Sequence, residues 1–198
     1  MIKNIYFDFG AVLVNYENAF QKVCSDFSLD FNEFWKFYNI FEEEMSYGKI
    51  TTDDFWKKCI EKFNLKNAQN YDLVKWWVSD YEIIKPINDL IYFLENKKEV
   101  GIISNIGSGV WEAAMKYEFV PNIKYKKVYL SYKEGMIKPN LNFYEKVQKE
   151  SFVKPDEILF IDDKEENLIV PKNLGWKTIL FNRLKAEEEV MKIKEIIL

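Results

Sequence analysis

Apolar residues gather in five short runs, at residues 2–9 (IKNIYFDF), 97–105 (KKEVGIISN), 126–131 (KKVYLS), 156–163 (DEILFIDD) and 176–181 (WKTILF). Each is rich in Ile, Val, Phe and Tyr and is bounded by polar residues or glycine, which predicts β-strands. Several are continuous rather than alternating, the pattern of a parallel sheet covered on both faces. Between the runs the period becomes helical over residues 110–119, 139–150 and 184–198, with Pro139 expected in the first turn of the second of these helices. Pro171 falls where a helix after Asp162 and Asp163 should be running, which suggests a late helix start there. Strands alternating with helices through short loops predict a Rossmann-like α/β domain with a central parallel sheet flanked by helices.

Residues 15–84 break that alternation. They carry aromatic, helix-periodic sequence (AFQKVCSDF, DFNEFWKFYNIFEEEM, TTDDFWKKCIEKF, AQNYDLVKWWVSDY) and no convincing strand. Asp30 and either Thr51 or Thr52 are placed to cap helices. Phe34, Phe37, Phe41 and the Trp76/Trp77 pair form a stripe that packs helices on one another. The expected organisation is an α/β core of residues 1–14 and 85–198, with residues 15–84 inserted as a helical bundle. Such an insertion lies over the carboxyl ends of the strands, where open α/β folds place their sites.

Composition narrows the chemistry. The 28 basic and 32 acidic residues give a net charge of -4, which supplies no electrostatic footprint for nucleic acid or for an anionic membrane. Histidine is absent, so imidazole bases, Ser-His triads and histidine metal ligands are excluded. Arg183 is the sole arginine, which leaves little for a bidentate clamp on phosphate. Cys24 and Cys59 lie far apart and read as buried small hydrophobes of a reducing compartment. An acid stands too early in KNIYFDF for a signal peptide, and no long charge-free apolar run occurs elsewhere. The expected location is cytoplasmic.

Polar clusters follow the predicted strands: Asp8 the first, Ser104 and Asn105 the second, Lys138 beyond the third, Asp162 and Asp163 the fourth. Parallel neighbouring strands bring these residues to one sheet edge. Alone, an Asp-Asp pair reads as a helix cap and Lys138 as a surface residue; the four clusters together read as a site. Asp8, Asp162 and Asp163 are hard oxygen donors suited to magnesium (Mg2+). The Phe9-Gly10-Ala11 loop offers backbone N–H groups to an anion, Ser104 and Asn105 offer hydrogen bonds to phosphoryl oxygens, and Lys138 a point charge.

With these motifs the chain resembles the haloacid dehalogenase superfamily of aspartate-nucleophile hydrolases. FDFGAVL (7–13), IISN (102–105), LSYKEGMIKPNLNFYEKV (130–147) and FIDDKEEN (160–167) followed by LGWKTI (174–179) are similar to its four motifs, and MSYGKIT (45–51) to a cap turn that faces the site. The resemblance is to the phosphatase-like members with a C1-type helical cap, among them sugar-phosphate (glucose 1-phosphate) phosphatases with an Asp-x-Gly first motif. It implies that Asp8 attacks phosphorus and forms an aspartyl-phosphate. It implies magnesium held by Asp8, Asp162, Asp163 and the main-chain carbonyl of Gly10. Ser104 and Lys138 are then catalytic, Phe9, Gly10 and Asn105 surround the phosphate, and Tyr47 and Lys49 contact the rest of a small phosphorylated metabolite. A monomer is the default expectation, a dimer the alternative.

Gly10 departs from the family's usual second aspartate, the residue that protonates the leaving group. Its carbonyl is retained, so metal binding and acid catalysis separate at this position. Glu42, Glu43 and Glu44 are candidate replacements. A catalytically weak or silent binding protein with the same fold remains an alternative reading. A 2-haloacid dehalogenase is a lesser one, as is an aromatic docking module, which predicts Trp76 or Trp77 on an exposed apolar patch.

Overall fold

A computed structural model describes residues 1–197. In chain order, β1 (Asn4–Phe7) is followed by β2 (Val14–Asn15), four helices α1 (Gln21–Phe27), α2 (Phe31–Ser46), α3 (Thr52–Phe63) and α4 (Leu73–Ser79), and β3 (Glu82–Ile83). Then come α5 (Lys85–Leu94), β4 (Glu99–Ser104), α6 (Val110–Lys116), β5 (Lys127–Leu130), α7 (Ser131–Glu134) and α8 (Leu141–Ser151). The chain continues through β6 (Ile158–Asp162), α9 (Glu165–Asn173), β7 (Lys177–Leu180) and α10 (Ala186–Ile197). The five predicted runs form one sheet in the order β5-β4-β1-β6-β7. All four of its strand pairings are parallel, with Phe7 opposite both Ile102 and Ile161.

Both faces of this sheet are covered, which is why the runs are apolar throughout. Successive side chains point to opposite faces. Ile5, Phe7, Ile102, Leu159 and Ile161 therefore join one apolar cluster, together with α5 and α10 residues such as Ile87 and Ile193. Tyr6, Ile103, Phe160 and Ile158 join another with Phe143, Tyr144 and Trp176. The first cluster continues into the inserted helices through Phe20, Phe34, Phe55 and Trp77.

The inserted helices form a cap organised around aromatic contacts. The Phe20 ring lies 4.5 Å from that of Trp77, 5.0 Å from Tyr38 and 5.1 Å from Phe34, centroid to centroid. Asp30 caps α2 by accepting from the Glu33 N–H, and Thr51 and Asp54 form a reciprocal capping box on α3, as local sequence dictates. Trp77 is buried, and Trp76 is covered by the Lys75 and Lys22 ammonium groups at 4.3 and 5.1 Å from its ring. Among the described residues no exposed tryptophan patch supports the docking reading. The cap is tied to the loop after β4 by Thr52, whose hydroxyl donates to the Ser108 carbonyl at 2.9 Å.

Three sequence expectations need correction. Residues 15–84 do contain strand: Val14–Asn15 pairs antiparallel with Glu82–Ile83 at the entrance to the cap, a ladder too short to leave a periodic signal. Pro139 is not in the first turn of α8, because Asn140 takes the cap position and its side chain accepts from the Asn142 N–H. Pro171, which suggested a late helix start, lies inside α9, which already begins at Glu165. Its missing N–H leaves the carbonyl four residues back without a helical partner. That carbonyl belongs to Asn167 and accepts the Tyr144 hydroxyl at 2.7 Å.

Candidate active site

The three strands at the middle of the sheet deliver their polar residues to one edge. Asp8 follows β1, and its N–H donates to the Ile161 carbonyl on β6 at 2.9 Å. Ser104 closes β4 and Asp162 closes β6. Lys138 arrives from the β5 side on a loop pinned at both polar groups of its backbone: its N–H donates to Asn105 Oδ1 at 2.8 Å, and Asn105 Nδ2 donates to its carbonyl at 3.0 Å.

Lys138 is the centre of charge. Its side chain is 1% exposed, and Nζ lies 2.9 Å from Asp8 Oδ1 and 2.6 Å from Asp162 Oδ2. Burial by itself lowers the lysine pKa, but Asp162 and Asp8 outweigh it and raise the value, so the ammonium keeps its charge. Asp8 Oδ1 also accepts from the Phe9 N–H at 2.7 Å. Among the described residues, Asp8 Oδ2 has no hydrogen-bond partner, and since no fully buried side-chain oxygen is left unpaired, it opens to the adjoining cavity. Asp162, wholly buried, is saturated: Oδ1 accepts from the Lys164 N–H at 2.9 Å and Asn167 Nδ2 at 3.0 Å, while Oδ2 takes Lys138.

The cavity above holds about 470 Å³. Asp8, Phe9, Gly10, Ser104, Asn105, Lys138 and Asp163 line its floor, and Asn39, Glu42, Glu43 and cap aromatics its roof. Among the described residues the Ser104 hydroxyl has no hydrogen-bond partner, and it is available to a ligand. Four expectations change here. The Asn105 side chain is committed to the Lys138 backbone, so it positions the lysine. Asp162 is absent from the lining, which leaves Asp163 and Asp8 as the carboxylates that face the cavity from its floor. Tyr47 and Lys49 do not line it either: Gly48, at φ 71°, is pressed so close to Tyr132 that a Cβ would lie 2.4 Å from its carbonyl oxygen, and Lys49 Nζ folds over the Tyr47 ring at 4.8 Å. Glu44 is likewise outside the lining, whereas Glu42 and Glu43 are within it.

Sequence pattern alone does not single out Tyr16 or Asn167. The Tyr16 ring fills the space beside Gly10, where a Cβ would stand 2.9 Å from Cε1, 3.2 Å from Cδ1 and 3.8 Å from Cζ. Burial pushes the Tyr16 phenol up to about 12, with Asp163, Asp8 and Glu42 adding to the shift. Tyr38 and Tyr81 also line the cavity with raised pKa values, burial being the main cause in both.

Residues 5–181 match the haloacid dehalogenase-like hydrolases. The chain belongs to that family. It is 32% identical over 193 residues to a D-ribitol-5-phosphate phosphatase of Bacteroides thetaiotaomicron, covering 90% of this chain and 91% of the relative. A haloacid dehalogenase family enzyme from the same organism, crystallised with magnesium and inorganic phosphate, superposes with a TM-score of 0.76 at 25% identity, over 92% of this chain and 96% of that one. A predicted family hydrolase from Porphyromonas gingivalis shares the fold, with a TM-score of 0.78 at 24% identity over 99% and 98% of the two chains.

In this haloacid dehalogenase-like hydrolase the donor set fits a hard divalent cation. Asp8, Asp162 and Asp163 each offer an oxygen, and these oxygens lie within 4.8 Å of one another. Burial pushes Asp8 up to about 7 against the pull of Lys138, with Asp162 and Asp163 adding to the rise, and burial and Asp162 raise Asp163. One lysine does not neutralise three clustered acids; a magnesium ion coordinated by oxygen relieves the excess. Arg183 is ion-paired with Glu17 and lines a separate recess beside Lys85 and Lys185, so it is not available to bind a substrate carboxylate in this cavity. Among the described residues no helix is long and apolar enough to cross a membrane.

Proposed function

We propose that this protein is a magnesium-dependent phosphomonoester hydrolase acting on a small sugar or polyol phosphate, with residues 15–84 as a C1-type cap over a core of residues 1–14 and 85–198. The observation that carries the reading is the unpaired Asp8 Oδ2, held in the cavity by a carboxylate whose other oxygen is fixed by Lys138 and the Phe9 N–H. A carboxylate oriented in this way is an in-line nucleophile for phosphorus. Asp8 displaces the alcohol, forms an aspartyl-phosphate and is released by water.

Lys138 offsets charge on Asp8 and on the phosphoryl group, Asn105 holds the lysine in register, and the Ser104 hydroxyl donates to a phosphoryl oxygen. Asp8, Asp163 and the Gly10 carbonyl hold magnesium, with Asp162 behind them. Bound there, the ion supplies positive charge against the negative charge gathering on the phosphoryl oxygens. The roof supports the substrate class. Trp35, Tyr38 and Tyr81 line it together with Asn39, Glu42 and Glu43, a combination of apolar and hydrogen-bonding groups suited to carbon chains that carry hydroxyls. The similarity to a D-ribitol-5-phosphate phosphatase points the same way.

The test is phosphate release from a panel of pentitol, pentose and hexose phosphates, nucleotides and p-nitrophenyl phosphate, with magnesium and with EDTA. Magnesium-dependent release favouring polyol or sugar esters is expected. No release from any ester would favour the silent binding protein, for which Gly10 is the argument.

A further inference from the structure

Cleavage of an alkyl phosphate leaves an alkoxide unless a proton reaches the departing oxygen, and the floor of the cavity holds no obvious donor. Lys138 is bound to two carboxylates, Asp8 is the nucleophile, Asp163 and Ser104 are committed to magnesium and to a phosphoryl oxygen on that reading, and Gly10 has no side chain. A phenol, unlike an ordinary carboxylic acid, carries its proton at neutral pH. Three phenols line the cavity, Tyr16, Tyr38 and Tyr81, and among the described residues none of their hydroxyls is hydrogen-bonded to the protein. Tyr16 alone stands against Gly10, with the hydroxyl-bearing carbon 3.8 Å from where a side chain at position 10 would begin. The loop that places it is closed by Ala11 N–H to the Val14 carbonyl at 2.8 Å and Leu13 N–H to the Phe9 carbonyl at 2.8 Å.

Building on the phosphatase reading, we infer that Tyr16 is the proton donor to the leaving group, working from the space that an acidic side chain at position 10 would occupy. As Asp8 Oδ2 bonds to phosphorus, the bond from phosphorus to the alcohol oxygen breaks and its electron pair leaves on that oxygen. The oxygen takes the proton from Tyr16 Oη. The resulting tyrosinate takes a proton from the water that attacks the aspartyl-phosphate, which restores the phenol and the Asp8 carboxylate and releases inorganic phosphate. An aryl ester with an acidic leaving group departs without a proton, so Tyr16 is not used in the step that forms the aspartyl-phosphate, which is the step that kcat/KM reports.

Leaving-group dependence separates this role from a packing role. In Tyr16→Phe, kcat/KM for the alkyl ester that the wild-type protein cleaves fastest falls about 100-fold or more, while kcat/KM for p-nitrophenyl phosphate changes by less than about threefold. Thermal unfolding of the variant, monitored alongside, confirms that it is folded. Equal losses on both esters, or no loss on either, overturn the assignment. So does the same differential in Tyr38→Phe or Tyr81→Phe in place of Tyr16→Phe. If the wild-type protein cleaves neither ester, the phosphatase reading fails first and the proton donor with it. If the wild-type protein cleaves both and only the differential is missing, that reading stands and the role of Tyr16 falls.

Discussion

On the floor of the cavity the polar groups are bound to one another: Asp162 has both oxygens occupied, Asn105 has both ends of its amide on the Lys138 backbone, and Lys138 joins two carboxylates. Across the same space, Asn39, Glu42 and Glu43 project from α2 with no side-chain hydrogen bond or ion pair among the described residues, between rings that pack tightly. The floor is preorganised for one reaction, and its charges are affordable only because they are paired. The roof keeps its polar groups free and its shape rigid, which suits it to choosing the substrate. Changes in the floor should therefore cost chemistry and stability together, and changes in the roof should cost selectivity alone.

The largest effect is expected at Lys138. Lys138→Met leaves Asp8 and Asp162 buried without a counter-charge, so urea unfolding should show a loss of about 3–5 kcal/mol, together with loss of turnover. Magnesium binding should weaken from about pH 8 to about pH 6 in titration calorimetry, because the folded-state pKa of Asp8 is raised to about 7 and that of Asp163 is raised as well. Protons then compete with the cation below that range. On the roof, Glu42→Gln should raise KM for the preferred ester about tenfold with kcat and the thermal midpoint nearly unchanged. A comparable fall in kcat would erase the division between floor and roof. The smallest effect is structural: Tyr144→Phe orphans the Asn167 carbonyl beneath the floor and should cost about 1–2 kcal/mol in urea unfolding.

The floor was largely legible in sequence because strands buried on both faces are continuous apolar runs, and the first polar residue after each run lies at the sheet edge. Asp8, Ser104 and Asp162 follow from that rule alone. What each carboxylate or amide bonds was not legible. Asn105 and Lys138 are 33 residues apart, and only the folded loop directs the amide toward the lysine backbone rather than the cavity. Tyr47 and Lys49 were misplaced because the seating of Gly48 on Tyr132 turns that segment away. Tyr16 was missed because a short irregular loop, with no period to read, folds its ring back onto Gly10. Pro171 looked like a helix boundary because the hydroxyl that satisfies the carbonyl it frees comes from another helix, at Tyr144.

The central claim is that Asp8 becomes phosphorylated. The most direct measurement is peptide mass analysis of protein mixed with its preferred ester and quenched in acid during turnover. The account predicts a phosphoryl group on the peptide containing Asp8, dependent on magnesium and absent in Asp8→Asn. Phosphate release with the phosphoryl group on another residue, or undiminished release by Asp8→Asn, would contradict it.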